Sequence, residues 1–281
     1  MKSALKHVLG QTIFSTGLDA VLLRDVAVVV AFHRVQEVVE PDDGLTVTVD
    51  LFERHCRFFR RHFQVVPLRD IVARLERGQP LNRELAITFD DGYRDNFEMA
   101  VPVLEKLSLP ATFFVVTQSI GSDRVPWWDA ERGTRHPWMT WEQVRALHRK
   151  GFDLGAHTRT HADLGRISGA EAEREIVGGR VELEREIGAA VDLFAYPYGG
   201  PNHLSDANRE LVKASGFRCC CSSSGGINAT GGSPFHLQRV PITLWHRSPQ
   251  QLGFEVALRR TVVAAPSARP FRPPSEAIDA A

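Results

Sequence analysis

Leu85-Ala86-Ile87-Thr88-Phe89-Asp90-Asp91-Gly92 decides how this chain is read. Residues suited to a buried strand are followed at once by two carboxylates and a glycine that lets the chain turn away. A buried carboxylate without a partner is costly, so two adjacent ones need a metal, a cation or water. Capping of the following helix is the plainer reading of the same pair. The rest of the chain decides between the two.

Strand-like and helical patterns alternate outward from this stretch. Strands are expected over 26–32, 64–67, 85–89, 111–116, 152–156, 191–195, 217–221 and 238–242. Helices fall between them. Asp50, with Glu53 three residues on, is read as the cap of a helix over 50–63. Gly78 stops a helix over 68–77, and another covers 96–107. Thr140 with Gln143, and Ser168 with Glu171, form capping boxes, and Gly151 and Gly188 close those two helices. A helix covers 205–215, and Ser248-Pro249 opens a last one. The result is an α/β chain of parallel construction. An open doubly wound sheet and a barrel both fit the alternation. The segment 117–137 has no clear element, contains Trp127 and Trp128, and is followed by Trp138. A loop of that length in a compact domain is often functional. Gly178-Gly179 and Gly231-Gly232 read as helix-end and turn glycines.

Composition sets limits. With 281 residues and 43% hydrophobic content, the chain can bury a sizeable core. Lys+Arg and Asp+Glu are both 34, so no basic excess suggests a nucleic-acid track. The cysteines are Cys56 and the run Cys219-Cys220-Cys221, which has no zinc-ligand spacing and reads as a buried strand with small side chains. Residues 1–24 are expected to form a helical extension, 25–262 one barrel-sized domain, and 263–281 a disordered tail. No signal peptide is recognised at the start, and no run is long enough to span a bilayer. Cytoplasmic residence is the default expectation, with an amphipathic first helix that could lie on a membrane surface.

The chemistry collects at predicted strand ends. His33 follows the strand over 26–32, Asp90 and Asp91 follow 85–89, and His157 follows 152–156. In parallel α/β folds, ligands and catalysis gather at that edge. His157 and His161 are four apart, and on a helical turn both imidazoles would reach one ion. One carboxylate completes a two-histidine, one-carboxylate set. Such a set suits Zn²⁺, and also Co²⁺, Ni²⁺ or Fe²⁺. Neighbouring side chains on an extended chain point to opposite sides, so one aspartate can bind the ion while the other stays free as a general base. Hydrolysis of an amide or ester fits this set, and an amide also needs a general acid, commonly a histidine.

Thr88-Phe89-Asp90-Asp91-Gly92, His157-Thr158-Arg159-Thr160-His161 and Tyr196-Pro197-Tyr198-Gly199 together resemble the polysaccharide deacetylases of the NodB-homology type, carbohydrate esterase family four. The resemblance runs over about 26–245. It implies a distorted (β/α)₇ barrel in a single domain. It also implies Asp90 as general base, Asp91, His157 and His161 as ligands of a divalent metal, and the Tyr198 N–H as a donor to the oxyanion. The implied substrate is a glycan containing N-acetylhexosamine, freed of its acetyl groups. Ala31-Phe32-His33-Arg34-Val35 resembles the start of the exopolysaccharide and poly-N-acetylglucosamine deacetylase branch, where an early histidine is a candidate acid.

Two departures stand out. Many relatives have Arg where this chain has Ala195, and that Arg holds the base. Arg239 is a candidate replacement, although a solvated strand-end charge is the plainer reading. Many relatives also carry a Leu-x-His near the C-terminus that supplies the acid, and Leu244-Trp245-His246 fits that pattern. His33 is preferred to His246 because its strand end is better defined. Trp127, Trp128 and Trp138 read equally as sugar platforms or as packing for the long loop. A non-catalytic glycan-binding barrel, and a deacylase of another N-acyl or lipid-linked sugar, stay open as alternatives.

Overall fold

Val26–Phe32 is buried at all seven positions, as a strand covered on both faces must be. It sits inside a curled sheet in the computed structural model, which describes residues 2–40 and 43–259. In chain order the elements begin with helices α1 (Lys2–Ser15) and α2 (Asp19–Leu22), then β1 (Val26–Phe32). A small separate sheet of β2 (Arg34–Gln36) and β3 (Thr46–Thr48) comes next. It is followed by α3 (Val49–His62), β4 (Gln64–Val65), α4 (Leu68–Glu76) and β5 (Glu84–Phe89). A π-helical turn over Asn96–Ala100 runs into α5 (Val101–Leu107), and then come β6 (Thr112–Val115), α6 (Trp127–Ala130), α7 (Trp141–Arg149) and β7 (Asp153–Ala156). The second half contains α8 (Gly169–Ile187), β8 (Leu193–Ala195), α9 (Asp206–Ala214), β9 (Cys219–Cys221), β10 (Asn228–Ala229), β11 (Val240–Pro241) and α10 (Pro249–Arg259).

The strands choose the barrel over the open sheet. β1, β5, β6, β7, β8 and β9 are parallel neighbours in that order. β11 pairs in parallel with the end of β1, Val30 opposite Val240. The antiparallel β10 covers the start of β1, Val26 opposite Ala229. A bridge from Cys221 to Leu237 joins β9 to the segment that leads into β11. The sheet therefore curls back to its first strand, with 237–241 as seventh stave: a distorted (β/α)₇ barrel. Period-two alternation separates the two faces of each strand. Val28, Val30, Ile87, Phe89 and Phe113 pack with the helices. Ala27, Val29, Ala86, Phe114 and Ala195 form a second cluster that includes α4. Cys219 and Cys221 belong to this second cluster, and all four cysteines are buried free thiols, as small apolar side chains would be.

Local signals hold in some places and fail in others. Thr140 and Ser168 form both expected capping boxes. The cap of α3 is Thr48, whose Oγ1 accepts from Leu51 N at 3.1 Å. The expected cap, Asp50, instead lies on the surface beside Arg54 at 3.0 Å. Gly178 and Gly179 lie within α8, not at its end. The segment 117–137 contains the short α6. The expected tail over 263–281 lies outside the described residues. The helical extension runs against α10, with Ser3 donating to Gln251 Oε1 at 2.6 Å and Lys6 Nζ to Glu255 Oε1 at 2.8 Å.

Asp153 opens β7 buried, with Arg69 on Oδ1 and no partner for Oδ2 among the described residues. Burial pushes its carboxyl up to about 6; Arg69 opposes this, and Asp192 and Asp70 add to it. A folded value above the unfolded one of about 3.9 means that the folded chain binds the proton more tightly. Stability is therefore lost as pH rises from about 4 to about 6. Asp153→Asn is expected to stabilise the protein by about 2 kcal/mol at pH ~8 and by almost nothing near pH ~4. Urea unfolding at the two pH values checks both the sign and the disappearance of the gain.

Candidate metal centre and active site

β5 delivers both aspartates to one edge of the barrel, and they part immediately. Asp90 continues the strand, its N–H donating to Phe32 O at 2.9 Å. Asp91 turns into the left-handed region at φ 73°, and Gly92 follows at φ 91°. A Cβ on Gly92 would lie 2.8 Å from Ile120 Cδ1, so the reversal needs glycine for space as well as for φ. Neither aspartate caps the helix that follows, which starts at Asn96 with no side-chain cap.

Asp91 faces two imidazoles. Its Oδ1 lies 3.4 Å from His157 Nε2 and 3.3 Å from His161 Nε2. That oxygen is buried without a hydrogen-bond partner among the described residues. Three ligand atoms, one from each residue, fall within 4.8 Å of one another. Two ligands at about 2.1 Å from a tetrahedral ion are about 3.4 Å apart, so this spacing fits a shared metal. The tautomer of His157 suits a ligand. Its Nδ1 lies 2.8 Å from Ala195 O and must carry the proton, which leaves the Nε2 lone pair toward Asp91. Burial alone would raise the Asp91 carboxyl, but the two imidazoles hold it well below the usual range.

The two histidines do not share a helical turn. His157 follows β7, and the chain reaches His161 through irregular backbone with Thr158 at φ 63° and His161 at φ 64°. Non-glycine residues in that region are strained and persist only where surroundings impose them. Here α8 imposes them. Glu175 Oε2 accepts from the N–H groups of Arg159 at 3.0 Å and Thr160 at 2.9 Å, and Oε1 accepts from Thr160 Oγ1 at 3.0 Å. Glu182 accepts from Arg159 Nε at 2.8 Å and from Thr117 Oγ1 at 2.5 Å. A Cβ on Gly179 would lie 3.0 Å from the Thr158 carbonyl carbon, and one on Gly178 would run into the Arg159 side chain. The paired glycines therefore let the helix come close to the histidine loop.

Arg239 takes the place left open by Ala195. Its guanidinium is fully buried and grips Asp90 with two parallel bonds, Nη1 to Oδ1 at 2.6 Å and Nη2 to Oδ2 at 2.7 Å. Nε donates to Ser222 O at 2.9 Å, and Nη1 also reaches Thr88 Oγ1 at 3.2 Å. This corrects the reading of Arg239 as a solvated charge. Burial pushes Asp90 up, and Arg239 with His157 and His33 together hold the carboxyl below its ordinary value. No local pattern marks the pair, since 149 residues separate its members.

His33 and His246 end in different places. His33 Nε2 lies 4.0 Å from Asp90 Oδ2, beside the aspartates. Burial lowers its imidazole below the usual value, against the pull of Asp91 and Asp90. His246 faces Glu255 of α10 at 3.4 Å, and its carbonyl lies 3.3 Å from His55 Nε2. It belongs to the packing of the last helix. Tyr198, at φ 61°, stands with its ring 4.8 Å from that of His161. Its backbone N–H has no acceptor in the protein among the described residues.

The long loop supplies an aromatic wall. Trp128 packs edge-on against His161 at 4.8 Å, and Trp127 Nε1 donates to the Tyr198 hydroxyl at 3.2 Å. Trp127 and Tyr198 stay 44% and 38% exposed, enough to meet a ligand. Trp138 is packing, stacked on Tyr93 at 4.5 Å. The wall is anchored by the buried Arg34, which bonds Asp129 at 2.7 Å and both oxygens of Asp43 at 2.9 Å.

Known proteins share this arrangement of sequence and fold. The family profile for polysaccharide deacetylases matches residues 77–220. The Bacillus subtilis protein YxkH is 23% identical over 207 residues, 73% of this chain and 68% of its own length. A Staphylococcus aureus poly-β-1,6-N-acetyl-D-glucosamine N-deacetylase is 20% identical over 208 residues, 70% of this chain and 68% of its own. The Streptococcus pyogenes deacetylase PplD, solved with acetate, superposes with a TM-score of 0.68 at 21% identity, covering 82% of this chain and 97% of that one. A profile match over half of the chain, on a barrel that gathers an Asp-His-His cluster, places this chain in the polysaccharide deacetylase family.

Proposed function

We propose that this chain hydrolyses N-acetyl groups from N-acetylhexosamine units of a glycan, of the poly-N-acetylglucosamine kind, with Asp91, His157 and His161 as metal ligands. The observation that carries the reading is the division of labour between adjacent carboxylates. Asp91 Oδ1 is buried without a hydrogen-bond partner beside two imidazoles, whereas Asp90 is gripped by Arg239. A divalent ion in the Asp91 cluster would act as Lewis acid and lower the pKa of water beside it. The N,N,O donor set suits Zn²⁺ first, and Co²⁺, Ni²⁺ or Fe²⁺ next.

The residues of this chain do the rest. Asp90, kept ionised by Arg239, takes the proton of the attacking water. The Tyr198 N–H donates to the oxyanion that forms at the acetyl carbonyl. His33 protonates the departing nitrogen, and its lowered imidazole makes it the stronger acid once charged. The C–N bond breaks, leaving acetate and a free amine. Trp127, Trp128 and Tyr198 offer faces to a sugar ring. His246 drops out as the acid because Glu255 holds it. The non-catalytic alternative loses its motive, since Arg239 supplies the partner that Ala195 cannot.

Acetate release from a panel of β-1,4- and β-1,6-linked N-acetylglucosamine oligomers tests the activity. The zinc-loaded protein should release acetate from at least one, and release from none would sink the proposal. Asp91→Asn should lose bound metal and turnover together. Arg239→Leu leaves the buried Asp90 unpaired and unoriented, so melting temperature should fall and kcat of the folded fraction should drop by about a hundredfold. Arg239→Lys restores charge without the planar fork and should recover only part. Glu175→Gln keeps the shape of the clamp but weakens its hold on two N–H groups. A loss of metal affinity of about 10–100-fold in chelator competition is expected; wild-type affinity would show that the loop supports itself.

A further inference from the structure

α1 is inside out. The residues it turns toward α10 include Ser3, Lys6 and His7, which bond Gln251, Glu255 and Ser248 at 2.6–2.8 Å. Leu5, Val8 and Leu9 share the opposite face at helical spacing and are 60%, 57% and 39% exposed. A helix on a protein surface normally turns its apolar stripe inward. Leu18 and Val21, at the short α2 that follows, are also exposed, at 47% and 60%. Single exposed aliphatics mean little, but three on one helix face, with Leu18 and Val21 soon after in the chain, need a cover.

Positive charge lies at the end of α1. Phe14 packs on His62, ring centroids 5.1 Å apart, which brings the end of α1 to the last turn of α3. That turn carries Arg60, Arg61 and His62. Arg60 and Arg61 are exposed and form no salt bridge among the described residues. Ala20 of α2 shares with Arg61, His62 and Arg83 the lining of a cleft of about 390 Å³. Arg83 there is committed to Asp19 at 2.9 Å, so Arg60 and Arg61 carry the charge of this end. Near the other end of α1, Trp245 is 65% exposed, and its carbonyl is held by Gln251, the partner of Ser3.

We propose that α1, α2 and the last turn of α3 form a docking face for an anionic lipid surface. The charge decides the occupant. An aliphatic crest with the exposed Arg60 and Arg61 at one end and an exposed indole near the other matches the layered chemistry of a bilayer interface. Basic side chains near such a crest add attraction to anionic headgroups, and that attraction is screened by salt. None of these residues belongs to the Asp90–Asp91 site, so the proposal stands apart from the activity.

Vesicle co-sedimentation of the whole chain tests it. The protein should pellet with phosphatidylcholine vesicles containing about 30% phosphatidylglycerol, and less so as salt is raised. Leu5→Glu/Val8→Glu should lower the bound-to-free ratio by roughly tenfold. Arg60→Glu/Arg61→Glu should reduce binding to that seen with phosphatidylcholine alone. Melting temperature reports the fold of each variant, and these exposed positions should leave it unchanged. The proposal is overturned if the wild-type protein pellets with neither vesicle, or if the apolar variant binds as well as the parent. It is equally overturned if Leu5→Glu/Val8→Glu abolishes a lipid-free dimer seen by light scattering, which would make the face a contact between copies.

Discussion

The fork between Arg239 and Asp90 is the interaction on which the rest of the structure depends. Arg239 lies on the segment that closes the barrel, between the Leu237 bridge to β9 and the pairing of β11 with β1. Its guanidinium donates to Asp90 and Thr88 on β5 and to Ser222 just after β9. One side chain thus ties the first turn of the catalytic edge to the last stave of the barrel. The ladder at that closure is short, since β11 has only two residues. A buried charge cannot remain unpaired, so the fork fixes the position of the closing segment as firmly as it fixes the carboxylate. In this chain the barrel's closure and the orientation of its base are the same contact.

That contact also explains why part of the site is legible in the sequence and part is not. Asp90, Asp91, His157 and His33 can be read because each follows an apolar run, and parallel strands bring such positions to one edge. The caps at Thr140 and Ser168 can be read because they are local bonds. Arg239 cannot, because its sequence shows only a charge beside a short strand, and its partner lies far away along the chain. The His157–His161 pair is legible as a cluster, but its geometry is not. Four-residue spacing suggests a helical turn, whereas two left-handed residues bring the imidazoles together. Gly178-Gly179 misleads for a related reason. Glycine in a helical pattern usually signals its end, and here it marks a close approach that only the folded chain reveals.

Among the described residues, seven non-glycine positions have positive φ, and Asp91, Thr158, His161 and Tyr198 are four of them. All four surround the proposed metal and oxyanion positions. Each such residue costs of order 1–3 kcal/mol, so the site as a whole opposes folding. Its neighbours must offset that cost, and they are identifiable. Glu175 and Glu182 hold the histidine loop through its amides and its arginine, and Arg34 holds the tryptophan loop through Asp129.

These supports share a design that follows from the chemistry required. A metal ligand set must present lone pairs inward, so the ligating atoms themselves cannot make the bonds that would keep them in place. The loop that carries the two proposed histidine ligands is consequently held from behind, by Glu175 on its backbone and Glu182 on its arginine. His157 shows the same logic in one residue, with Nδ1 committed to Ala195 O and Nε2 left free. Position 195 therefore still serves the site. Its side chain does not reach the proposed base, yet its carbonyl orients His157, and a backbone carbonyl is available from any residue. That is why alanine is tolerated there, once Arg239 reaches Asp90 from the closing stave.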